Sequence, residues 1–188
     1  AIVYEYDNHS IVKKISPQGH PYYTNTYDDQ RRVTKQVAGT DWTHEMEYGE
    51  NQTVVTDRNG HTFTYFYDDN GLMLANEDGI GNRTSFVYNE NRKVIAETNA
   101  EGGRYEYEYD DSGNQVYQKD PLGFVVAREF DQTFNKPVYE RNQNGAETRW
   151  EYDRKGNLTT MINAAGNAAT FAYNEFGQLI AAADFNGN

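Results

Sequence analysis

Adjacent acids are the residues of this sequence most suited to chemistry. Asp28-Asp29, Asp68-Asp69 and Asp110-Asp111 each set two carboxyls side by side, and paired carboxyls can divide general-acid and general-base work. Asp68-Asp69-Asn70-Gly71 also has the opening of a calcium loop, a chemistry that needs a glutamate at the loop's twelfth position on a helix. The four histidines, His9, His20, His44 and His61, have no metal-ligand spacing, and each reads as a surface or turn residue. None of Ser10, Ser16, Ser85 and Ser112 lies in a Gly-x-Ser-x-Gly elbow. Cysteine is absent, which excludes disulfides and thiolate metal sites.

The elements that carry these acids follow a repeat. Aromatic anchors stand at Tyr6, Tyr27, Tyr48, Tyr67, Tyr88, Tyr109, Phe130, Tyr152 and Tyr173, at spacings of 21, 21, 19, 21, 21, 21, 22 and 21. A fixed period over the whole chain is the mark of a repeat architecture. Turn formers and a glycine follow the anchor, as in Tyr67-Asp68-Asp69-Asn70-Gly71-Leu72 and Tyr152-Asp153-Arg154-Lys155-Gly156-Asn157, and Gly113 and Gly177 hold the same place. A second glycine lies about 14 residues after the anchor, at Gly81, Gly102, Gly123, Gly145, Gly166 and Gly187. Asp and Asn bond their own backbone and glycine accepts positive φ, so both sites are turns. Between them the residues alternate, as in Tyr105, Tyr107 and Tyr109 around Glu106 and Glu108, the pattern of a strand with one apolar face. Each repeat is therefore one β-hairpin. Acids recurring at one turn of successive hairpins cap that turn; a catalytic pair would not be copied along an array.

Three copies depart from the pattern. The Tyr48 copy is two residues short and lacks the first glycine. The first copy has no aromatic two residues before Tyr27, and Arg128 fills that place before Phe130. Trp42 breaks the pattern and is the best candidate for a specific contact.

Composition narrows the function classes. Leu, Ile, Val and Phe supply 33 of 188 residues and the formal charge is -12, values that would suit a disordered chain. The 16 Tyr supply the missing apolar area, since each aromatic buries roughly 150–250 Å² while a tyrosine keeps a wet hydroxyl. The acidic balance argues against nucleic acid as a partner. No apolar run is long enough for a membrane helix, so no membrane insertion by this segment is expected. The chain starts Ala1-Ile2-Val3-Tyr4, without Met or a signal peptide, which suggests a piece of a longer protein.

Nine hairpins give about 18 strands, a row of roughly 80–90 Å at a spacing of ~4.8 Å. Open sheets seldom exceed about ten strands without curling, and twist has a fixed hand. The expected fold is all-β: tandem hairpin repeats of about 21 residues in a curved or spiralling antiparallel sheet, with residues 1–188 as a single array.

The pattern Tyr-Asp-x-x-Gly-x-Leu, then Asp or Asn, then Gly, then aromatic-x-Tyr resembles the signature of the RHS/YD-repeat family. It is carried by the stretches from Tyr67 to Tyr88, Tyr88 to Tyr109, Tyr109 to Phe130 and Tyr152 to Tyr173. That family is found in bacterial polymorphic toxins, type VI secretion effectors, insecticidal toxin complexes and teneurins. The resemblance implies a segment of a hollow β-shell that encloses and helps deliver a C-terminal toxin polypeptide. It also implies partners in that polypeptide or in other segments of the shell, and a secreted or cell-surface location. Asp120-Pro121-Leu122-Gly123 is similar to the Asp-Pro-x-Gly motif linked to shell self-cleavage, yet it sits at an ordinary second-turn position and repeats follow it. A structural turn is expected there. No catalytic residue, cofactor or metal is expected, and the anchors and turn glycines are expected to be structural. The alternative is an extracellular carbohydrate-binding or cell-adhesion module, its exposed aromatics stacking on sugars. Aromatics stacking on one another across strands is the favoured use.

Overall fold

The computed structural model describes residues 1–39 and 42–188. They form two compact units, Ala1–Val87 with Thr98–Glu101, and Tyr88–Glu97 with Gly102–Asn188. All the regular structure is β. The strands of the first unit are β1 (Val3–Asp7), β2 (Ser10–Ile15), β3 (Pro21–Tyr27), β4 (Val33–Ala38), β5 (Trp42–Tyr48), β6 (Gln52–Asp57), β7 (Thr62–Tyr67), β8 (Met73–Asp78) and β9 (Arg83–Tyr88). Those of the second are β10 (Val94–Thr98), β11 (Arg104–Tyr109), β12 (Gln115–Lys119), β13 (Val125–Phe130), β14 (Pro137–Arg141), β15 (Glu147–Tyr152), β16 (Leu158–Ile162), β17 (Ala168–Tyr173) and β18 (Leu179–Ala183). Sequential neighbours pair antiparallel from β1 to β9. The same holds from β11 to β18. This is the tandem-hairpin, all-β fold that the alternation predicts.

Register explains the irregular spacings. In most copies a bulge falls directly before the anchor, as between Glu108 and Tyr109 or Glu151 and Tyr152, and a five-residue turn follows. In the short copy β5 and β6 pair without a shift, Tyr48 opposite Thr53. A tight turn closes there through Gly49 N–H to the Gln52 carbonyl at 2.8 Å. The two missing residues are thus the bulge and part of the turn. The 22-residue copy does the opposite, lengthening its turn so that Asp131 N–H reaches the Lys136 carbonyl at 2.8 Å.

Because side chains alternate across a strand, the anchor and the residues two and four before it share a face. Tyr105, Tyr107 and Tyr109 share it in β11, and in β15 it carries Trp150 and Tyr152. The opposite face carries charge, including Glu106 between Arg104 (3.3 Å) and Lys119 (3.4 Å). The core is thin. Among the described residues the buried ones are small, namely Ala75, Ala96, Ala169, Ser16 and Gly156. Stability therefore rests on half-buried rings and saturated backbone rather than a packed second layer.

Candidate functional site

The sites marked by the sequence are the two turns and the anchor of each hairpin. Both turns use one device. In the first turn of β11 and β12, Asp110 N–H donates to the Asn114 carbonyl, Gly113 N–H donates to the Asp110 carbonyl, and Asp110 Oδ1 accepts the Asn114 N–H at 2.8 Å. In the second turn that follows β12, Asp120 repeats the pattern, its Oδ1 accepting from Leu122 and Phe124 at 2.9 Å each. The Asp-Pro-x-Gly stretch is thus an ordinary capped turn, as expected. Asn142, Asn163 and Asn174 cap in the same way as the aspartates. Ser16 substitutes its hydroxyl, accepting the His20 N–H at 3.0 Å.

The ten turn glycines expected from the sequence, Gly71, Gly81, Gly102, Gly113, Gly123, Gly145, Gly156, Gly166, Gly177 and Gly187, all have φ between 75° and 88°. Gly19 and Gly60 hold equivalent second-turn places, slightly closer to their anchors than the other second glycines. Three copies place a side chain in this left-handed slot: Arg31, Arg92 and Asn135, at φ 61°, 59° and 55°. Two of these side chains reach the preceding repeat. Arg31 donates to the Asn8 carbonyl, and Asn135 pairs with Asn114.

These contacts dispose of the acid-base reading. Asp28, Asp68 and Asp110, the first members of the three doublets, are each occupied by turn N–H groups. The Asn114 side-chain amide holds Asp110 below the ordinary aspartate range despite some desolvation, and Asn82 and Asn157 act in the same way on Asp78 and Asp153. Asp28 is lowered first by the Arg32 backbone N–H and further by its guanidinium. A carboxylate so held has no proton to donate near neutral pH. The second member of one doublet, Asp69, accepts from Asn51 of the neighbouring turn at 3.0 Å. No group of three or more His, Asp or Glu residues suited to a metal occurs among the described residues.

Two of the histidines are engaged locally. His61 Nδ1 lies 3.0 Å from Asp57 Oδ2 within one turn. His44 packs edge-on against Trp42 at 4.0 Å between ring centroids. Trp42 remains half exposed on the anchor face.

The anchors have a second task that alternation does not reveal. Tyr27, Tyr48, Tyr109 and Tyr152 donate their hydroxyls to the carbonyls of Ile11, Val33, Val94 and Pro137, at 2.7, 2.7, 2.9 and 2.8 Å. Each acceptor belongs to the preceding hairpin, 15 or 16 residues back, so the hydroxyl ties one repeat to the next. Burial raises the Tyr48 and Tyr152 phenols above their ordinary value, which keeps the donor proton in place. Phe130 has no hydroxyl and cannot make this tie. For Tyr48, Tyr109 and Tyr152, a step of 15 back to an apolar residue that opens a strand was the available signal.

A cation completes several of these joints. Arg32, Lys93 and Lys136 stand over the rings of Tyr48, Tyr109 and Tyr152, the first at 4.3 Å and the others at 5.0 and 5.4 Å. Lys93 Nζ also donates to the Gly113 carbonyl at 2.8 Å, and Lys136 Nζ to that of Gly156. The first-turn edge of the sheet is thus laced from repeat to repeat. The two degenerate places before an anchor are filled by polar contacts: Asn25 bonds Ile11, Tyr27 and Gln36, and Arg128 pairs with the facing Glu140 at 2.8 Å.

Comparison with known proteins agrees with this geometry. The RHS repeat model matches residues 140–168 and 152–188. No curated protein matches the chain. Among solved structures it is similar to TcdB2-TccC3 without its hypervariable C-terminal region, with a TM-score of 0.66 and 12% identity over 97% of this chain and 12% of that one. It is also similar to the Photorhabdus luminescens Tc holotoxin pore, with a TM-score of 0.64 and 13% identity over 97% of this chain and 11% of that one. At such identity the likeness is one of fold, and the chain spans about one-eighth of the length of these proteins. The RHS repeat model is thus matched at the C-terminal repeats, and the same hairpin register recurs in both units.

Proposed function

We propose that this array is a stretch of passive wall in an RHS-type shell, whose task is to enclose a toxin polypeptide and keep it from its surroundings until delivery. The observation that carries the reading is the laced hairpin edge. Successive repeats are tied by tyrosine hydroxyls and lysine or arginine caps, and the turn carboxylates are consumed by backbone. Such an arrangement suits a continuous barrier. The likeness in fold to components of Tc toxins supports the same role. On this reading the residues 1–188 form one continuous array in a secreted assembly, its partners are the enclosed polypeptide and neighbouring wall, and the chain is not an enzyme.

Two measurements test it. Small-angle scattering on the 188-residue chain should give a cross-section one sheet thick, on the order of 10 Å; a filled globule would sink the reading. In the full-length protein, sequence beyond the array should resist added protease, and Tyr109→Ala with Tyr152→Ala should open it to cleavage. Equal cleavage in native and variant proteins would count against enclosure.

A further inference from the structure

One joint inside the second unit lacks both of the ties that its neighbours have. On either side of it, Tyr109 and Tyr152 donate their hydroxyls fifteen residues back, and a lysine ammonium stands over each ring at 5.0 and 5.4 Å. Between them comes Phe130. It has no hydroxyl to offer Gln115, the residue fifteen before it that opens β12. The place five after the preceding anchor, which Lys93 fills one repeat earlier, holds Asn114. Asn114 links the two turn tips through an amide pair with Asn135, and an amide brings no charge to the Phe130 ring.

The wedge between these two repeats is correspondingly open. At the joint that Lys93 fills, the gap has a volume of about 330 Å³. At the Phe130 joint it is about 600 Å³. It runs from Asp110, Asp111 and Ser112 in one first turn, past Val116, to Glu129 and Phe130 beside the next. Arg128 also lines it, but its guanidinium is engaged by Glu140 at 2.8 Å. Asp111 and Glu129 are exposed and, among the described residues, pair with no cation. The wedge thus keeps the aromatic ring that holds an ammonium in the flanking joints, and adds two uncompensated carboxylates. A ring face attracts a cation, and an alkyl stem packs on apolar surface while its charged head stays among polar groups.

We propose that this wedge is a binding site for an alkylammonium group, its stem against Phe130 and Val116 and its charge between Asp111 and Glu129. The ligand supplies from outside what Lys93 and Lys136 supply from within at the two flanking joints. The group belongs either to a free amine or to a lysine side chain of another polypeptide. The site rests on three successive joints of one unit, independently of the enclosing role proposed above.

The test is a titration of the 188-residue chain with n-butylammonium chloride, in effect a severed lysine side chain, followed by amide chemical shifts. Saturable shifts should be confined to residues 110–116 and 128–132. Butan-1-ol has the same stem without the charge and should produce none. Asp111→Asn with Glu129→Gln should weaken binding about fivefold or more, the loss expected from one or two exposed ion pairs. Asn114→Lys places an ammonium in the joint from inside and should abolish binding. Circular dichroism establishes that both variants are folded. Two further ligands separate the sources: a free polyamine site binds 1,4-diaminobutane more tightly, and a site for a protein side chain favours lysine blocked at both backbone ends. Four results overturn the proposal: no saturable shift with n-butylammonium, equal binding of butan-1-ol, unchanged affinity in the double variant, or unchanged affinity in Asn114→Lys.

Discussion

Turn glycines differ in why they cannot be replaced. At Gly71 an added Cβ would meet nothing within 4 Å, so only its φ of 75° resists a side chain. At Gly156 the same atom would lie 2.8 Å from Phe134 Cδ1. Gly71→Ala should therefore cost about 1–2 kcal/mol, the left-handed penalty alone. Gly156→Ala should cost more, with urea midpoints as the measure; equal losses would mean the ring moves aside freely. The anchor hydroxyl is testable in the same way. Tyr152→Phe keeps the ring but orphans the Pro137 carbonyl, and should lose about 1 kcal/mol. The capping aspartates give acid sensitivity with a definite sign. Asp78, Asp110 and Asp153 are held below the ordinary value by asparagine side chains, so they stabilise the fold above the unfolded aspartate pKa of about 3.9. That contribution fades as pH falls through their lower folded values. Asp153→Asn, which imitates Asn142 or Asn163, should flatten the dependence of the urea midpoint on pH between neutral and acid conditions. An unchanged slope would remove Asp153 from the account.

Within the hairpin, the two ends are built alike but tied differently. Lys93 bridges to the neighbouring first turn through the Gly113 carbonyl and the Tyr109 ring. Lys93→Met should therefore speed amide exchange in residues 110–114 and leave the second turn at residues 120–124 as slow as before. Equal acceleration of both turns would show that the lysine acts on the sheet as a whole. Most of this architecture was legible in the sequence: anchors, glycines and alternation fix strand order and both turns. The joints were not legible, for a physical reason. Arg32 and Lys93 stand five residues after an anchor and Lys136 six, whereas Leu72 or Gln178 fills that place elsewhere, so no shared residue type marks it. A slot that tolerates Arg31, Arg92 or Asn135 at positive φ likewise escapes a search for glycine, because a contact to the preceding repeat can offset the strain that glycine avoids.

For the whole molecule, the thin core decides how damage spreads. With no large side chain fully buried among the described residues, distant repeats share no common interior, and each hairpin depends on its neighbours. Hydrogen exchange on Gly156→Ala should show lost protection in the adjoining hairpins and an unchanged pattern in residues 1–87. A uniform loss along the chain would mean that the array melts as one cooperative body. The spacings of 19 and 22 residues carry a further consequence. The short copy takes up the change in its bulge and turn and the long copy in its turn, after which the next tyrosine, Tyr67 or Tyr152, meets its strand partner in normal register. The chain thus resets its phase at every anchor. A coding error that adds or removes a few residues is confined to one hairpin tip, so arrays of this kind can drift in length without losing frame.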